Sequence, residues 1–207
     1  MRLVAEPYAQ KRKQFINLVI KYVKKGSGSS LEFLNSRSWT YPVANLNEII
    51  KQANFVVVGD VATRLYMPER MTLDLDILVK AEDAKLVYED LENAKGQKVG
   101  DLSIASTQWR LGDGKALVVW AFDGDWVVEA VNSPNYAPDG LPVIDLPYLV
   151  LMKLIAGRSQ DIADISRMLG VAEDWQLGRV RMAIGRYLPS ALEDLDSLVV
   201  LGRLEQG

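Results

Sequence analysis

The 207-residue chain contains no cysteine and no histidine. Without cysteine it can form no disulfide, thiol nucleophile or zinc–thiolate site, and without histidine it lacks the most common general base and transition-metal ligand. Any catalysis must therefore use carboxylates, lysine, arginine, tyrosine and hydroxyl groups. Hard cations such as Mg²⁺ or Mn²⁺ are compatible with this composition, because they bind oxygen ligands.

Long hydrophobic runs are also missing. The longest apolar stretches, Leu146 to Met152 and Ala116 to Phe122, are far shorter than the roughly 20 residues of a membrane-spanning helix. The first residues, MRLVAEPYAQKRKQ, show no apolar stretch after their charges, unlike a secretion signal. We therefore expect a cytoplasmic protein with no membrane partner.

Charge is distributed unevenly along the chain. Residues 1–53 carry nine basic and three acidic side chains, residues 54–145 carry eight and sixteen, and residues 146–207 carry seven and eight. An acidic segment does not attract a polyanion by itself, so a nucleotide bound there needs metal ions or basic neighbours. This pattern predicts three parts: a basic helical segment (1–53), a core (54–145) and a C-terminal helical region (146–207).

Apolar spacing predicts a mixed α/β fold. A helix is predicted over Tyr8–Lys25, followed by a flexible GSGSS connector at 26–30. In the core, the residues Phe55–Val58 predict a strand that turns at Gly59 into a helix, and strict alternation predicts a second strand over Met71–Val79.

The rest of the core and the C-terminal region follow the same reasoning. A helix is predicted over Ala81–Ala94, and a hairpin around Asp123-Gly124 that joins strands Leu117–Phe122 and Trp126–Val131. Four helices are predicted at the end of the chain: Leu146–Ala156, Gln160–Leu169 ended by Gly170, Asp174–Leu188 and Pro189–Leu204. The fold predicted is a twisted mixed sheet of about four to six strands with helices on one side, and a C-terminal helical region.

Asp74 and Asp76 are the strongest chemical signal in the sequence. A period of two places both carboxylates on one face of a strand, where acidic residues are disfavoured and repel each other. A divalent cation offsets that repulsion and leaves coordination positions for water and phosphate oxygens. The alternative is a solvated strand whose acids pair with Arg64, Arg70 or Lys80.

Gly59 strengthens the phosphate interpretation. A strand that turns at glycine into a helix presents backbone N–H groups and a positive dipole end to an anion. Asp60 opposes this, because its charge falls where phosphate would lie and its side chain also suits a helix N-cap. Arg64, Arg70 and Thr72 could contact phosphates, or form surface ion pairs and strand contacts.

Two further groups of residues are interpreted as structural. Lys153, Arg158, Asp161, Asp164 and Arg167 are polar residues among apolar ones and are interpreted as an ion-pair network within the helices. Five aromatic residues lie in apolar runs and are interpreted as core or interface residues rather than base-stacking platforms: Trp109, Trp120, Trp126, Trp175 and Tyr187.

These residues together resemble a known family. The segment FVVVGDVATRLYMPERMTLDLDILV (55–79) resembles the signature of the nucleotidyltransferase fold of the DNA polymerase β superfamily, in which a strand, a glycine motif and a helix precede Asp-x-Asp. The segment LPVIDLPYLVLMKLIAGRSQDIADISRML (141–169) is similar to the corresponding stretch of AbiEii-type toxins, with Lys153, Arg158, Asp161 and Asp164 at matching positions.

The resemblance implies a metal-dependent nucleotidyltransferase. It makes Asp74 and Asp76 the catalytic and metal-binding residues, with Mg²⁺ or Mn²⁺ as cofactor and an NTP as substrate. The nucleotide-binding residues that it implies are Gly59, Asp60, Arg64, Arg70, Thr72 and Lys153. The acceptor is an unknown hydroxyl on RNA, a protein or a small molecule.

Two departures from the family pattern favour an alternative. Asp60 replaces the second small residue of the glycine motif, and Trp120 stands where the family has a third carboxylate. Asp123, Asp125 or Glu129 could take that role. The alternative is a catalytically inactive module that binds a toxin–antitoxin partner, nucleic acid or its own copy as a homo-oligomer. A metal-dependent glycosyltransferase is disfavoured, because only 73 residues precede Asp74.

Overall fold

The computed structural model describes residues 9–26, 45–67, 75–102 and 105–206. Asp74, Arg70 and Thr72 lie outside these ranges, as does most of the predicted connector.

The described residues form helices and strands in mixed order. The helices are α1 (Ala9–Tyr22), α2 (Leu46–Ile49), α3 (Gly59–Tyr66), α4 (Ala84–Asn93), α5 (Asp125–Asn132), α6 (Leu146–Ala156), α7 (Ser159–Val171), α8 (Asp174–Tyr187) and α9 (Leu192–Gln206). The strands are β1 (Val56–Val58), β2 (Leu75–Lys80), β3 (Gln97–Leu102), β4 (Ser106–Arg110), β5 (Ala116–Phe122), β6 (Asn135–Tyr136) and β7 (Pro142–Val143). Short 3₁₀ helices precede α4 (Ala81–Asp83) and α9 (Pro189–Ala191).

The chain divides into two compact units. Of the described residues, the first unit contains 45–65 and 75–145, and the second contains 9–26, 66–67 and 146–206. The sheet thus lies in the first unit, and helix α1 lies in the same unit as the four helices at the other end of the chain.

The first unit is built on one seven-stranded mixed sheet with the order β3-β4-β5-β2-β1-β7-β6. The pairs β2–β5 and β1–β7 are parallel, and the other neighbouring strands are antiparallel. The predicted fold class, a mixed sheet with flanking helices and a C-terminal helical region, is confirmed. The strand count exceeds the expected range because β6 and β7 are two-residue strands without a readable period.

The two faces of the central strands differ in burial. On β2 the alternating residues Leu75, Ile77 and Val79 are buried, whereas Asp76 and Lys80 are only half-buried. The predicted alternation therefore holds over the described part of this strand, with Leu78 as an additional buried residue. The half-buried face is the one that carries Asp76.

Two sequence predictions about local structure are wrong. The residues Trp126–Val131 form most of helix α5 and not the second strand of a hairpin, because Val127, Ala130 and Val131 are buried at helical spacing. Helix α7 does not end at Gly170 but continues to Val171, because Gly170 packs against another helix instead of ending its own.

The second unit joins α1 to helices α6–α9. Arg12 on α1 is buried, and its Nε donates a hydrogen bond of 2.7 Å to Asp194 on α9. The same guanidinium donates to the carbonyl oxygen of Leu154 on α6 at 3.2 Å. Among the helices of the described ranges, none combines the length and the apolar character of a membrane-spanning segment.

Candidate functional site

Asp76 lies near the middle of the sheet. Its strand β2 pairs with β1 on one side and with β5 on the other, so that Asp76 lies opposite Val58 and opposite Val118. Paired residues of neighbouring strands project from the same face of a sheet. The Asp76 side chain is therefore surrounded by residues of three strands and remains half-buried.

Gly59 lies directly against the Asp76 carboxylate. Helix α3 begins at Gly59, immediately after β1, and this residue has a φ of +66°. A Cβ atom at this position would lie 2.6 Å from Asp76 Oδ2, so that the Asp76 side chain would have to shift. The structure thus brings together two predicted site residues, and the start of α3 approaches the carboxylate because residue 59 has no side chain.

Trp120 contacts the other oxygen of the same carboxylate. It lies on β5 opposite Leu78, and its indole Nε1 donates a hydrogen bond to Asp76 Oδ1 over 3.0 Å. Sequence reasoning identified Trp120 as a departure from the family pattern but missed this bond. The bond depends on the parallel register of β2 and β5, which local sequence does not encode.

The three acids considered as a third carboxylate lie around helix α5. Asp123 and Asp125 are exposed, and Glu129 is half-buried. In the part of the chain that the structure describes, no three acidic residues form a group that could hold a metal ion. Asp76 itself supplies carboxylate oxygens, which are the kind of ligand that Mg²⁺ binds.

Two of the cations that the sequence suggests as partners of the acid pair, Arg64 and Lys80, lie in the described ranges. Arg64 lies half-buried on α3. Lys80, proposed from sequence as a partner of the acid pair, forms ion pairs with Glu82 at 2.8 Å and Asp83 at 2.9 Å. Hydrogen bonds to these two carboxylates raise the pKa of Lys80, although partial desolvation acts in the opposite direction.

Lys153 lies in the second unit, inside a buried ion-pair network. Its Nζ on α6 is 2.7 Å from Asp164 Oδ2 and 3.3 Å from Asp161 Oδ1, both on α7. Arg158 donates to Asp161 at 2.7 Å, and Gln160 donates to Asp164 at 3.0 Å. The predicted network thus forms, but it joins two helices rather than staying within one.

The aromatic residues of the first unit occupy two different environments. Trp109 is a core residue with 1% exposure, and its Nε1 donates to Thr107. Trp120, Phe122 and Trp126 are half-buried and form a row, with ring centroids 5.8 Å apart for the first pair and 6.4 Å for the second. In the second unit, Trp175 is 58% exposed, so of the predicted core or interface position the core is excluded and the interface stays a prediction.

Comparison with known proteins adds structural likeness but no relative in sequence. No protein-family model matches the chain, and no curated protein matches its sequence. Among solved structures, the antibiotic-resistance factor ANT(2'')-Ia is similar at 15% identity and a TM-score of 0.40, over 73% of this chain and 82% of that one. A protein of Thermotoga maritima, proposed to be a nucleotidyltransferase, is similar at 16% identity and a TM-score of 0.40, over 70% of this chain and 98% of that one.

A third structure, the Megavirus polyadenylate synthase, is similar at 11% identity and a TM-score of 0.33. This likeness covers 99% of the present chain but only 35% of the viral enzyme.

Proposed function

We propose that this chain binds a metal–NTP complex through Asp74 and Asp76 and transfers NMP to a hydroxyl acceptor. The observation that carries the proposal is the surroundings of Asp76. Its carboxylate lies on the half-exposed face of a rigid central strand, directly beside the first residue of a helix. A carboxylate in that place can hold a cation while the helix start faces phosphate oxygens.

The metal part of the proposal fits the donor chemistry of Asp76. Trp120 donates its indole N–H to Oδ1, and a carboxylate oxygen has capacity for more than one partner. Together with Asp74, two carboxylates would hold Mg²⁺ or Mn²⁺. A bound ion of this kind supplies charge neutralisation at the α-phosphate and lowers the pKa of a coordinated hydroxyl.

The remaining predicted residues have assigned roles in this proposal. Backbone N–H groups near Gly59 and Asp60 would face the phosphates, with Asp60 tolerated because the metal offsets its charge. Arg64, Arg70 and Thr72 would contact phosphate oxygens, whereas Lys153 is buried in ion pairs with Asp161 and Asp164 and takes no part in this proposal. The acceptor is a hydroxyl of RNA, protein or a small molecule.

The test is equilibrium binding of NTPs with and without Mg²⁺, together with transfer from α-labelled NTPs. We expect Asp76→Asn and Asp74→Asn to weaken Mg²⁺-dependent binding by at least about tenfold, since each removes a charged ligand. Asp101→Asn is the matched control, because it removes an exposed carboxylate from the edge strand β3. Metal-independent binding that both site variants retain would refute the proposal.

A second candidate is favoured by the Trp120 hydrogen bond. An indole donor on Asp76, from the place where the family pattern has a third carboxylate, suits an inactive module of the toxin–antitoxin type, with a protein or nucleic-acid partner. AbiEii-like proteins are the group that its sequence resembles. No transfer of label to any acceptor, combined with intact Mg²⁺–NTP binding, would favour this candidate.

A further inference from the structure

We propose that the row formed by Trp120, Phe122 and Trp126 binds the base of the nucleotide whose phosphates the Asp76 site holds. This inference rests on the proposed function. It assigns a binding surface to the base, which the metal site does not contact. We call these three residues the aromatic row.

The aromatic row begins at the proposed phosphate site. Trp120 and Phe122 lie two residues apart on β5 and therefore project from the same face, which is also the face of Asp76. Trp126, in the first turn of α5, extends the row beyond the end of the strand. The indole N–H of Trp120 fixes one end of the row to Asp76.

The exposure of the row distinguishes it from core packing. Trp109, on the opposite face, is buried at 1% exposure against Tyr88. The three rings of the row are only half-buried, although rings of this size stabilise a fold most when fully buried. The three tilted rings thus leave aromatic surface in reach of a flat ligand.

The negative charges beside the aromatic row favour the base, rather than the phosphates, as the group that binds there. Asp123 and Asp125, which lie between Phe122 and Trp126 in the chain, are both exposed carboxylates that disfavour an anion. A nucleobase is neutral and planar, and it binds to aromatic side chains mainly by stacking, with little dependence on base identity. The phosphates would remain at Asp76, where a cation can neutralise them.

Nucleosides that carry no phosphate test the row separately from the metal site. The chain has five tryptophans, whose indole N–H signals can be followed by NMR in the full-length protein. We expect adenosine and cytidine to shift the signals of Trp120 and Trp126 without any metal. Phe122→Leu keeps apolar volume but removes the central ring, and we expect it to weaken nucleoside binding about tenfold.

Tyr136→Leu is the matched control, because Tyr136 is an exposed aromatic residue on β6, which three other strands separate from β5. Trp126→Leu is a second variant in case Phe122→Leu fails to fold, and it should also weaken binding about tenfold. Nucleosides that leave both indole signals unmoved, or that bind wild type and both row variants equally, would overturn the inference.

A parallel titration with Mg²⁺ and tripolyphosphate separates the two proposals. If nucleosides bind the row but tripolyphosphate with Mg²⁺ does not bind, the metal–phosphate site is refuted and the base site stands. If tripolyphosphate binds and nucleosides do not, the base site is refuted and the metal–phosphate site stands.

Discussion

Gly59 is required at its position for two separate steric reasons. Its φ of +66° is unfavourable for any residue with a side chain, and a Cβ would collide with Asp76 Oδ2. The sequence predicted a functional glycine beside the acid pair, and the structure adds that its smallness makes room for one of those acids.

Gly59→Ala should therefore destabilise the protein by about 3 kcal/mol, the sum of backbone strain and overpacking. Gly114→Ala separates the backbone strain from the overpacking, because Gly114 also has a positive φ of +86° but has nothing near its Cβ position. It should cost only about 1 kcal/mol in urea-induced unfolding. Equal losses for the two variants would show that the contact with Asp76 contributes nothing.

The carboxylate of Asp90, on α4, contributes to the stability of the fold by an amount that depends on pH. Burial raises its pKa, but hydrogen bonds from the backbone of Gln52 and Lys51 and from the Gln52 side chain outweigh burial, so the pKa lies below its ordinary value. A lowered pKa stabilises the fold at pH values above the pKa of the unfolded chain. That stabilisation is lost as pH falls through the folded pKa.

Asp90→Asn should lose about 2 kcal/mol of stability at neutral pH, since one amide nitrogen replaces an oxygen that accepts two backbone N–H groups. The difference from wild type should shrink below about pH 4. Glu89→Gln, an exposed neighbour on the same helix, should show neither effect. A difference that stays constant between neutral and acidic pH would contradict the linkage.

The sequence indicates individual residues of the candidate site but not the contacts between them. Asp76 and Gly59 follow from spacing along single strands, which local periodicity encodes. The hydrogen bond from Trp120 and the aromatic row follow from strand register and tertiary packing, which it does not encode. From sequence, Trp120 and Trp126 are therefore core or interface candidates, and Trp120 also stands where the family has a third carboxylate, but neither is linked to Asp76.

At the scale of elements, helices α7 and α9 cross at two glycines. A Cβ at Gly202 would lie 2.8 Å from Gly170 Cα and would overlap the carbonyl oxygen of Ser166. The backbones can approach this closely only without side chains. From sequence, Gly170 was interpreted as the end of a helix, because a stop signal and a packing glycine look alike in isolation.

Gly202→Ala should therefore cost about 3 kcal/mol or prevent folding, because backbone rather than a flexible side chain must move. Gly178→Ala is the control, since Gly178 lies in helix α8 with open space at its Cβ position. That substitution should stabilise the protein by about 1 kcal/mol. Thermal unfolding of both variants measures the contrast, and a harmless Gly202→Ala would refute the close crossing.

The ion network between α6 and α7 allows a test of what Lys153 does. Lys153→Met leaves the buried carboxylates of Asp161 and Asp164 with less compensation, so we expect a loss of about 3 kcal/mol. Lys13→Met, at an exposed pair with Glu193, should change stability little. If Lys153→Met unfolds like wild type, the network does not depend on this lysine.

The predicted hairpin after β5 shows where element prediction fails. Asp123-Gly124 is typical of a tight turn, and the following WVVEAV is rich in β-branched residues. Burial at Val127, Ala130 and Val131 instead stabilises a helix packed on the sheet. Tertiary packing outweighed local propensity in a segment short enough to satisfy both patterns.

At the scale of the whole molecule, the second unit is assembled from two distant parts of the sequence. The buried pair of Arg12 and Asp194 joins residues 182 positions apart, and Gly26 donates to the carbonyl of Leu204 over 2.9 Å. Removing α1 would therefore damage this unit. A test of nucleic-acid binding by the basic helix must keep the helix in place.

Substituting the exposed lysines of this helix region is the sharper test of an RNA acceptor. Replacing Lys11, Lys21, Lys24 and Lys25 with glutamine leaves the buried Arg12 in place. If RNA binds there, affinity at low salt should fall and the slope of log affinity against log salt should decrease by about three. Unchanged RNA binding with unchanged salt dependence would remove this helix from the acceptor site.

The pairing of Arg12 with Asp194 also sets an order of events during synthesis. On the ribosome, the described residues of the sheet-bearing unit have all been translated once synthesis reaches residue 145. The guanidinium of Arg12 on α1, in contrast, is paired with Asp194 only after α9 has been translated. The nascent chain therefore carries an incompletely paired amphipathic helix for most of its translation. We expect the sheet to fold first, and helices α6–α9 to pack against α1 only after the last helix has been translated.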